Sequence, residues 1–158
     1  MPIDANELRR VMGHFATGVT VVTSMIEGRP CAMTANSVAS VSLDPPLVLF
    51  CGDRDSETLR GVMASKFFAI NILSEHAERI SRTFATRGPK TFDGMGYRPE
   101  LTGAPVLDEA LAWVDCALHS EFDAGDHVIV VGLIERADAA DDGKPLLFYR
   151  GGYHTLGA

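Results

Sequence analysis

The hydrophobic period of this chain changes repeatedly, and the changes mark out its elements. Leu8, Val11, Met12 and Phe15 recur at i, i+3, i+4 and i+7 and predict an amphipathic helix over residues 4–15. Asp4 is placed to cap it, Glu7 three positions on completes a capping-box-like pattern, and Gly18 ends the segment. The chain then becomes β-branched. VTVVTSM (19–25) reads as a strand, EGRP (27–30) as a turn and 31–35 as the returning strand. From Met33 to Asp44 the period is two. Met33, Ala35, Ala39, Val41 and Leu43 are apolar, and Thr34, Asn36, Ser40, Ser42 and Asp44 are polar. Such alternation predicts a strand with one face in and one face out, with room for a bend near Ser37. A row of small polar side chains meets either water or a polar ligand, and the pattern leaves both open.

Pro45-Pro46 removes ladder donors, and LVLFC (47–51) is a fully apolar strand. Ser56 reads as the N-cap of a helix running to about Ala64, with Leu59, Val62 and Met63 on one side. FFAINIL (67–73) is a buried strand. Ser74 is expected to cap a helix through Phe84, supported by Glu75/Arg79 and Glu78/Arg82 pairs. Residues 86–105 show no period and read as one long loop. LAWVDCALHSEF (111–122) and HVIVVGLIERADA (127–139) form a hairpin about DAGD, and PLLFYRGGYHTL follows a turn at DDGK. Six or seven short strands in hairpins, with three peripheral helices, predict a mainly β fold built as a closed antiparallel barrel.

The 158 residues suit one domain over 1–158, and 46% apolar residues mark it as globular. No run of 18 apolar residues exists, and MPIDANELRR lacks the apolar core of a secretory signal, so the expected compartment is the cytoplasm. Fourteen basic against 21 acidic residues give a net charge of −7. With no basic stripe visible, nucleic acid and anionic membrane surfaces are poor partners. Cys31, Cys51 and Cys116 are odd in number, widely spaced and without C-x-x-C, which argues against a disulfide framework. The five histidines lack ligand spacing, so no metal is expected.

No G-x-S-x-G elbow, P-loop or G-x-G-x-x-G occurs, and no acid/base pair of carboxylates stands out. A polar strand face, a helix N-terminus and a few aromatics and histidines remain. That inventory suits a cofactor that brings its own chemistry.

The segments FATGVTVVTS, MTANSVASVSLDPPLVLFC, SETL, FFAINIL, GDHVIVVG and PLLFYRGGY occur in this order. Together, from about Phe15 to Tyr153, they resemble the flavin reductase-like family. The resemblance implies an antiparallel Greek-key split β-barrel of the FMN-binding type. It implies an NAD(P)H:flavin oxidoreductase that passes hydride from NADH or NADPH to FMN or FAD. It further implies a homodimer and a separate monooxygenase that receives the reduced flavin. Flavin contacts then fall on Thr34, Ala35, Asn36, Ser37, Ser40, Val41, Ser42, Cys51 and Phe84, and phosphate contacts on Ser56 and Thr58. The family's mobile loop has a basic residue where this chain has Thr91, within KTFDG, so Arg87 or Lys90 becomes the expected cation. His127 is expected at the nicotinamide as the catalytic position, oriented by Asp126, with Tyr149 and Tyr153 lining that side. The same barrel also serves flavoproteins that keep their flavin and non-enzymatic flavin- or haem-binding modules. The motifs alone do not separate these alternatives.

Overall fold

The structure is a computed structural model that describes residues 1–88 and 90–157; Pro89, inside the predicted 86–105 loop, and Ala158 fall outside it. Helix α1 (Ala5–Met12) is followed by β1 (Thr17–Gly18), β2 (Thr20–Ile26), β3 (Arg29–Ala35), β4 (Val38–Leu43) and β5 (Pro46–Asp53). Then come α2 (Glu57–Ser65), β6 (Phe67–Leu73), α3 (Glu78–Ala85), β7 (Tyr97–Pro99) and β8 (Pro105–Leu107). The chain continues through β9 (Ala110–Ala124), β10 (His127–Ala139), β11 (Leu146–Tyr149) and β12 (Gly152–Thr155).

Seven strands form the main sheet in the order β3-β2-β6-β9-β10-β5-β4. The long β9–β10 hairpin is its spine, with pairing from His127↔Ala124 to Ala139↔Ala112. The sheet is not closed. Its two edge strands, β3 and β4, share no ladder, and the chain crosses between them through Asn36 and Ser37 alone. This corrects the expected closed barrel. The physical reason lies at that crossing: Ser37 turns the chain onto β5, where the Cys51 N–H donates to the Ser37 carbonyl (3.1 Å) and the Ser37 hydroxyl donates to the Cys51 carbonyl (3.1 Å). These bonds continue the β4–β5 ladder, which begins at Val38↔Phe50, by one residue; they do not involve β3, whose outer edge stays unpaired.

Strand β2 is buried on both faces from Thr20 to Ser24, its three hydroxyl side chains included. Val22, Met33, Phe50, Phe68, Ile70 and Val130 fill the concave side, closed by Leu59 and Val62 of α2. Val21, Ala32, Leu73 and Leu107 face the other way, under Ile80 and Phe84 of α3. The expected caps Asp4 and Ser56 are both made. The Asp4 carboxylate accepts from Glu7 N (2.9 Å) and the Ser56 hydroxyl from Leu59 N (3.3 Å).

Ser74 does not cap α3. The helix starts after Ala77 with no side-chain cap, while Ser74 bridges to Pro145 and accepts from His76 N. The predicted 86–105 loop holds β7, and β8 begins at its end. Most of the alternation in β4 also fails. Its ladder to β5 shifts between Ser40 and Ser42, so Val41 is a bulge residue and the period breaks there. Val41 and Leu43, expected inside, are exposed, Leu43 at 95%. Helix α1 buries no residue, and Phe15 beyond it is 70% exposed. Among the described residues no helix is long and apolar enough to cross a membrane.

Candidate functional site

An elongated cleft of about 840 Å³ runs along the open edge of β3, between the start of α2 and the end of α3. Antiparallel geometry dictates what that edge offers. The Ala35 carbonyl faces β2, since it accepts from the Thr20 hydroxyl at 2.6 Å. Backbone groups alternate in direction along a strand, so those of Ala32 and Thr34 face the cleft. The Ala32 carbonyl indeed accepts from Lys90 Nζ across the gap, at 3.5 Å. The edge therefore presents a row of backbone donors and acceptors with no partner strand, suited to a planar ligand with several polar atoms on its rim.

At one end of the row lies the start of α2. The Ser56 carbonyl takes Arg60 N–H (3.2 Å) and its hydroxyl takes that of Leu59. The N–H groups of Glu57 and Thr58 have no intrahelical partner, and both residues line the cleft. This is a favourable seat for an anionic group, reinforced by the helix dipole. Four cations border the same cleft: Arg29, Arg60, Arg87 and Lys90. Arg29 is drawn to Glu57 at 3.5 Å, and Arg60 Nη1 donates to the Asp55 carbonyl at 3.3 Å. Partial burial holds the Lys90 ammonium below its usual pKa, so an arriving anion would favour its charged form.

His127, the first residue of β10, also lines the cleft, half-exposed beside Asp53, whose carbonyl accepts from Ser56 N (3.0 Å) at the start of α2. Its Nδ1 lies 2.7 Å from Asp126 Oδ1. That hydrogen bond is the main cause holding the Asp126 carboxyl below its ordinary pKa. An ionised carboxylate only accepts, so Nδ1 carries the proton and Nε2 is the ring nitrogen left for a ligand. Arg54 braces this corner by donating to the Gly125 carbonyl (2.8 Å) and pairing with Asp123 (3.1 Å).

The structure brings together Thr34, Ala35, Asn36, Ser37, Cys51, Ser56, Thr58, Phe84, Arg87, Lys90 and His127 around one cleft. Their readiness for a ligand differs. The Thr34 hydroxyl already donates to the Ser81 carbonyl (2.6 Å), and Thr58 is 2% exposed. Phe84 is buried and packs on Phe92, ring centres 5.0 Å apart. Ser40, Val41 and Ser42 lie on the opposite sheet edge, outside the lining. Tyr149 sits between His14 and His154, and the Tyr153 hydroxyl is engaged with Ser81; neither ring lines the cleft. Sequence reasoning missed Arg29, Arg60 and Glu57. The available signal was their position, at the start of β3 and on the first turn of α2, flanking residues already selected.

A family model, flavin reductase like domain, matches residues 12–157, and the chain belongs to this family. The reductase subunit HsaB of a flavin-dependent monooxygenase from Mycobacterium tuberculosis is 39% identical over 153 residues, covering 96% of this chain and 82% of that protein. The FMN reductase (NADH) SmoA of Agrobacterium fabrum is 41% identical over 150 residues, covering 95% and 85%. Among solved structures, the NADH:FAD oxidoreductase SgcE6 of Streptomyces globisporus C-1027 superposes with a TM-score of 0.93 at 38% identity, covering 100% of this chain and 96% of that one.

Proposed function

We propose that this protein is an NAD(P)H-dependent flavin reductase that receives hydride from the nicotinamide onto FMN or FAD and releases the reduced flavin to a separate monooxygenase. The observation that carries the reading is the unpaired β3 edge, which ends at the free N–H groups of α2 and faces His127 across one cleft. The names of the relatives, reductase subunits and an NADH:FAD oxidoreductase, support it.

The flavin supplies the electron-accepting chemistry when bound. The protein's residues bind and orient. The backbone of Ala32 and Thr34 meets polar ring atoms along the edge, and Ser37 and Cys51 close the end of that edge. Glu57 and Thr58 N–H groups, with Arg87 and Lys90, neutralise phosphate. His127 Nε2 would accept from a nicotinamide carboxamide, with Asp126 fixing the imidazole's orientation. The cleft needs no acid, base or nucleophile for this task.

We further propose a homodimer. Leu8, Val11, Met12 and Phe15 form an uncovered apolar face, and Val41 and Leu43 add another on the β4 edge. Monomeric proteins seldom leave such patches open. On this reading Ser40, Val41 and Ser42 meet flavin across the subunit boundary.

The test is oxidation of NADH and of NADPH under air with FMN, FAD and riboflavin in turn. Turnover that depends on added free flavin is expected. Stoichiometric flavin binding without oxidation of either nicotinamide would defeat the reading in favour of a binding module.

A further inference from the structure

Ser81 connects the cleft to a part of the molecule that does not touch it. It lies in the middle of α3, is fully buried, and makes two links. Its hydroxyl shares a 2.6 Å hydrogen bond with the Tyr153 hydroxyl, and its carbonyl accepts from the Thr34 hydroxyl at 2.6 Å. Tyr153 belongs to β12, in a three-stranded sheet of order β1-β11-β12 that is separate from the main one. The path runs from the small sheet, through one helix, to the flavin-facing strand.

We infer that Tyr153 is a positioning residue for the flavin side of the cleft, acting through Ser81 of α3 on Thr34 of β3. The inference rests on the flavin reading above.

Three observations carry it. First, the Tyr153 ring is fixed independently of its hydroxyl. Phe148 meets its edge with centres 5.4 Å apart, and the Arg82 guanidinium stands 4.8 Å above its face, itself paired to Glu78 at 3.6 Å. The oxygen is therefore delivered to a set point. Second, α3 has no side-chain cap at its start, and its apolar contacts through Ile80 and Phe84 are non-directional. Beside the Arg82 guanidinium on the Tyr153 face, the two hydrogen bonds at Ser81 are the directional links that set its rotation and height. Third, α3 controls two parts of the cleft at once. Its end carries Phe84 and Ala85, continuing into Thr86, Arg87 and Gly88, which form the wall opposite β3. Its Ser81 carbonyl accepts the hydrogen bond of the Thr34 hydroxyl, leaving that hydroxyl only lone pairs to offer a ligand. A shift of α3 thus changes the cleft's width and the polarity that Thr34 presents. His127, on β10 across the cleft, does not contact this path.

Tyr153→Phe keeps the ring and removes the oxygen. The expected result is a three- to tenfold rise in the flavin dissociation constant, read by flavin fluorescence. The nicotinamide KM and kcat at saturating flavin should stay within twofold. Ser81→Ala should give the same split, and the double variant should be no weaker than either single one, because both cut the same link. Thermal unfolding records stability separately. A lowered unfolding midpoint with unchanged flavin affinity overturns the inference, as does an equal rise in nicotinamide KM or full additivity of the two substitutions. A wild-type protein that binds no flavin defeats the flavin reading itself; a wild type that binds and variants that bind equally well defeat only the relay.

Discussion

Strands β3 and β4 are both edges of the same sheet, both fall in the stretch from Met33 to Asp44 where apolar and polar residues alternate, β3 with only its last three residues, and they are joined by two residues. Their fates differ. Strand β3 is covered on its outer face by α3, with Ala32 under Ile80 and Phe84 and the Thr34 hydroxyl bound to Ser81. Strand β4 has no such cover, and Ala39, Ser40 and Val41 are exposed. Alternation therefore specifies that a strand has two faces. What lies against each face is decided by elements distant in sequence, here a helix more than 40 residues on. Only the covered edge becomes the wall of a cleft, since a ligand needs a second wall.

The largest test removes the cover. Phe84→Ala deletes a buried ring from α3 and should cost about 3–5 kcal/mol of stability. Ser40→Ala, on the uncovered edge, should stay within about 0.5 kcal/mol. Denaturant unfolding measures both, and comparable losses would erase the distinction between the edges.

This contrast also marks what the sequence made legible. Local signals held: the caps at Asp4 and Ser56, the β2–β3 hairpin and the β9–β10 hairpin all depend on residues within a few positions of one another. Nearly half of the residues that line the cleft were legible as well, through ordered motifs that resemble a family. Readings that needed a distant partner were lost. The Ser74 cap failed because Ser74 meets Pro145 instead. The apolar stripe of α1 implied burial, yet none of the described residues covers it. The open sheet was invisible because hairpin counting says nothing of whether the first and last strands meet. Buried polar anchors went unnoticed too. Asn71 accepts from Leu107 N (2.8 Å), and Asp115 accepts from Thr102 N (2.9 Å) and the Thr102 hydroxyl; each polar side chain stands in a run that reads as strand core.

Two cysteines extend the comparison across the cleft. Cys31 on β3 is buried, and that burial, with Glu57 nearby, pushes its thiol up to about 11. Cys51 on β5, the partner of β4, is partly exposed in the cleft. The raised group keeps its proton in the folded protein while the unfolded thiol ionises from about pH 9. Its contribution is thus fully present below pH 9 and is lost as pH rises to about 11, up to roughly 2–3 kcal/mol. Comparing the pH dependence of unfolding for wild type and Cys31→Ala isolates this component; parallel curves through that window would contradict it. At pH 8, iodoacetamide should label Cys51 alone in the native state, and bound flavin should slow it.

A smaller effect is expected where a side chain takes over from backbone. The β3 edge offers peptide groups that no substitution of a side chain removes, whereas β10 offers the His127 ring. His127→Ala should raise the nicotinamide KM about tenfold, equivalent to about 1.4 kcal/mol, with flavin affinity within twofold. Steady-state kinetics and flavin titration report the two numbers separately. Equal losses in both would place the imidazole on the flavin rather than on the nicotinamide.

The smallest effect bears on the uncovered edge itself. If β4 gains its missing wall from a second copy, Ser42 acts on flavin only in the dimer. Ser42→Ala should then weaken flavin binding by about 0.5–1.5 kcal/mol, the worth of one hydrogen bond. Leu43, 95% exposed beside it, gives the means of removing the second copy. Leu43→Asp places a charge in the proposed interface and should yield monomers by light scattering. In that background the further change Ser42→Ala should cost nothing, because its partner has already gone. A cost that persists in the monomer would mean that the β4 edge reaches flavin within one chain, and the difference between the two edges would then be one of exposure and not of function.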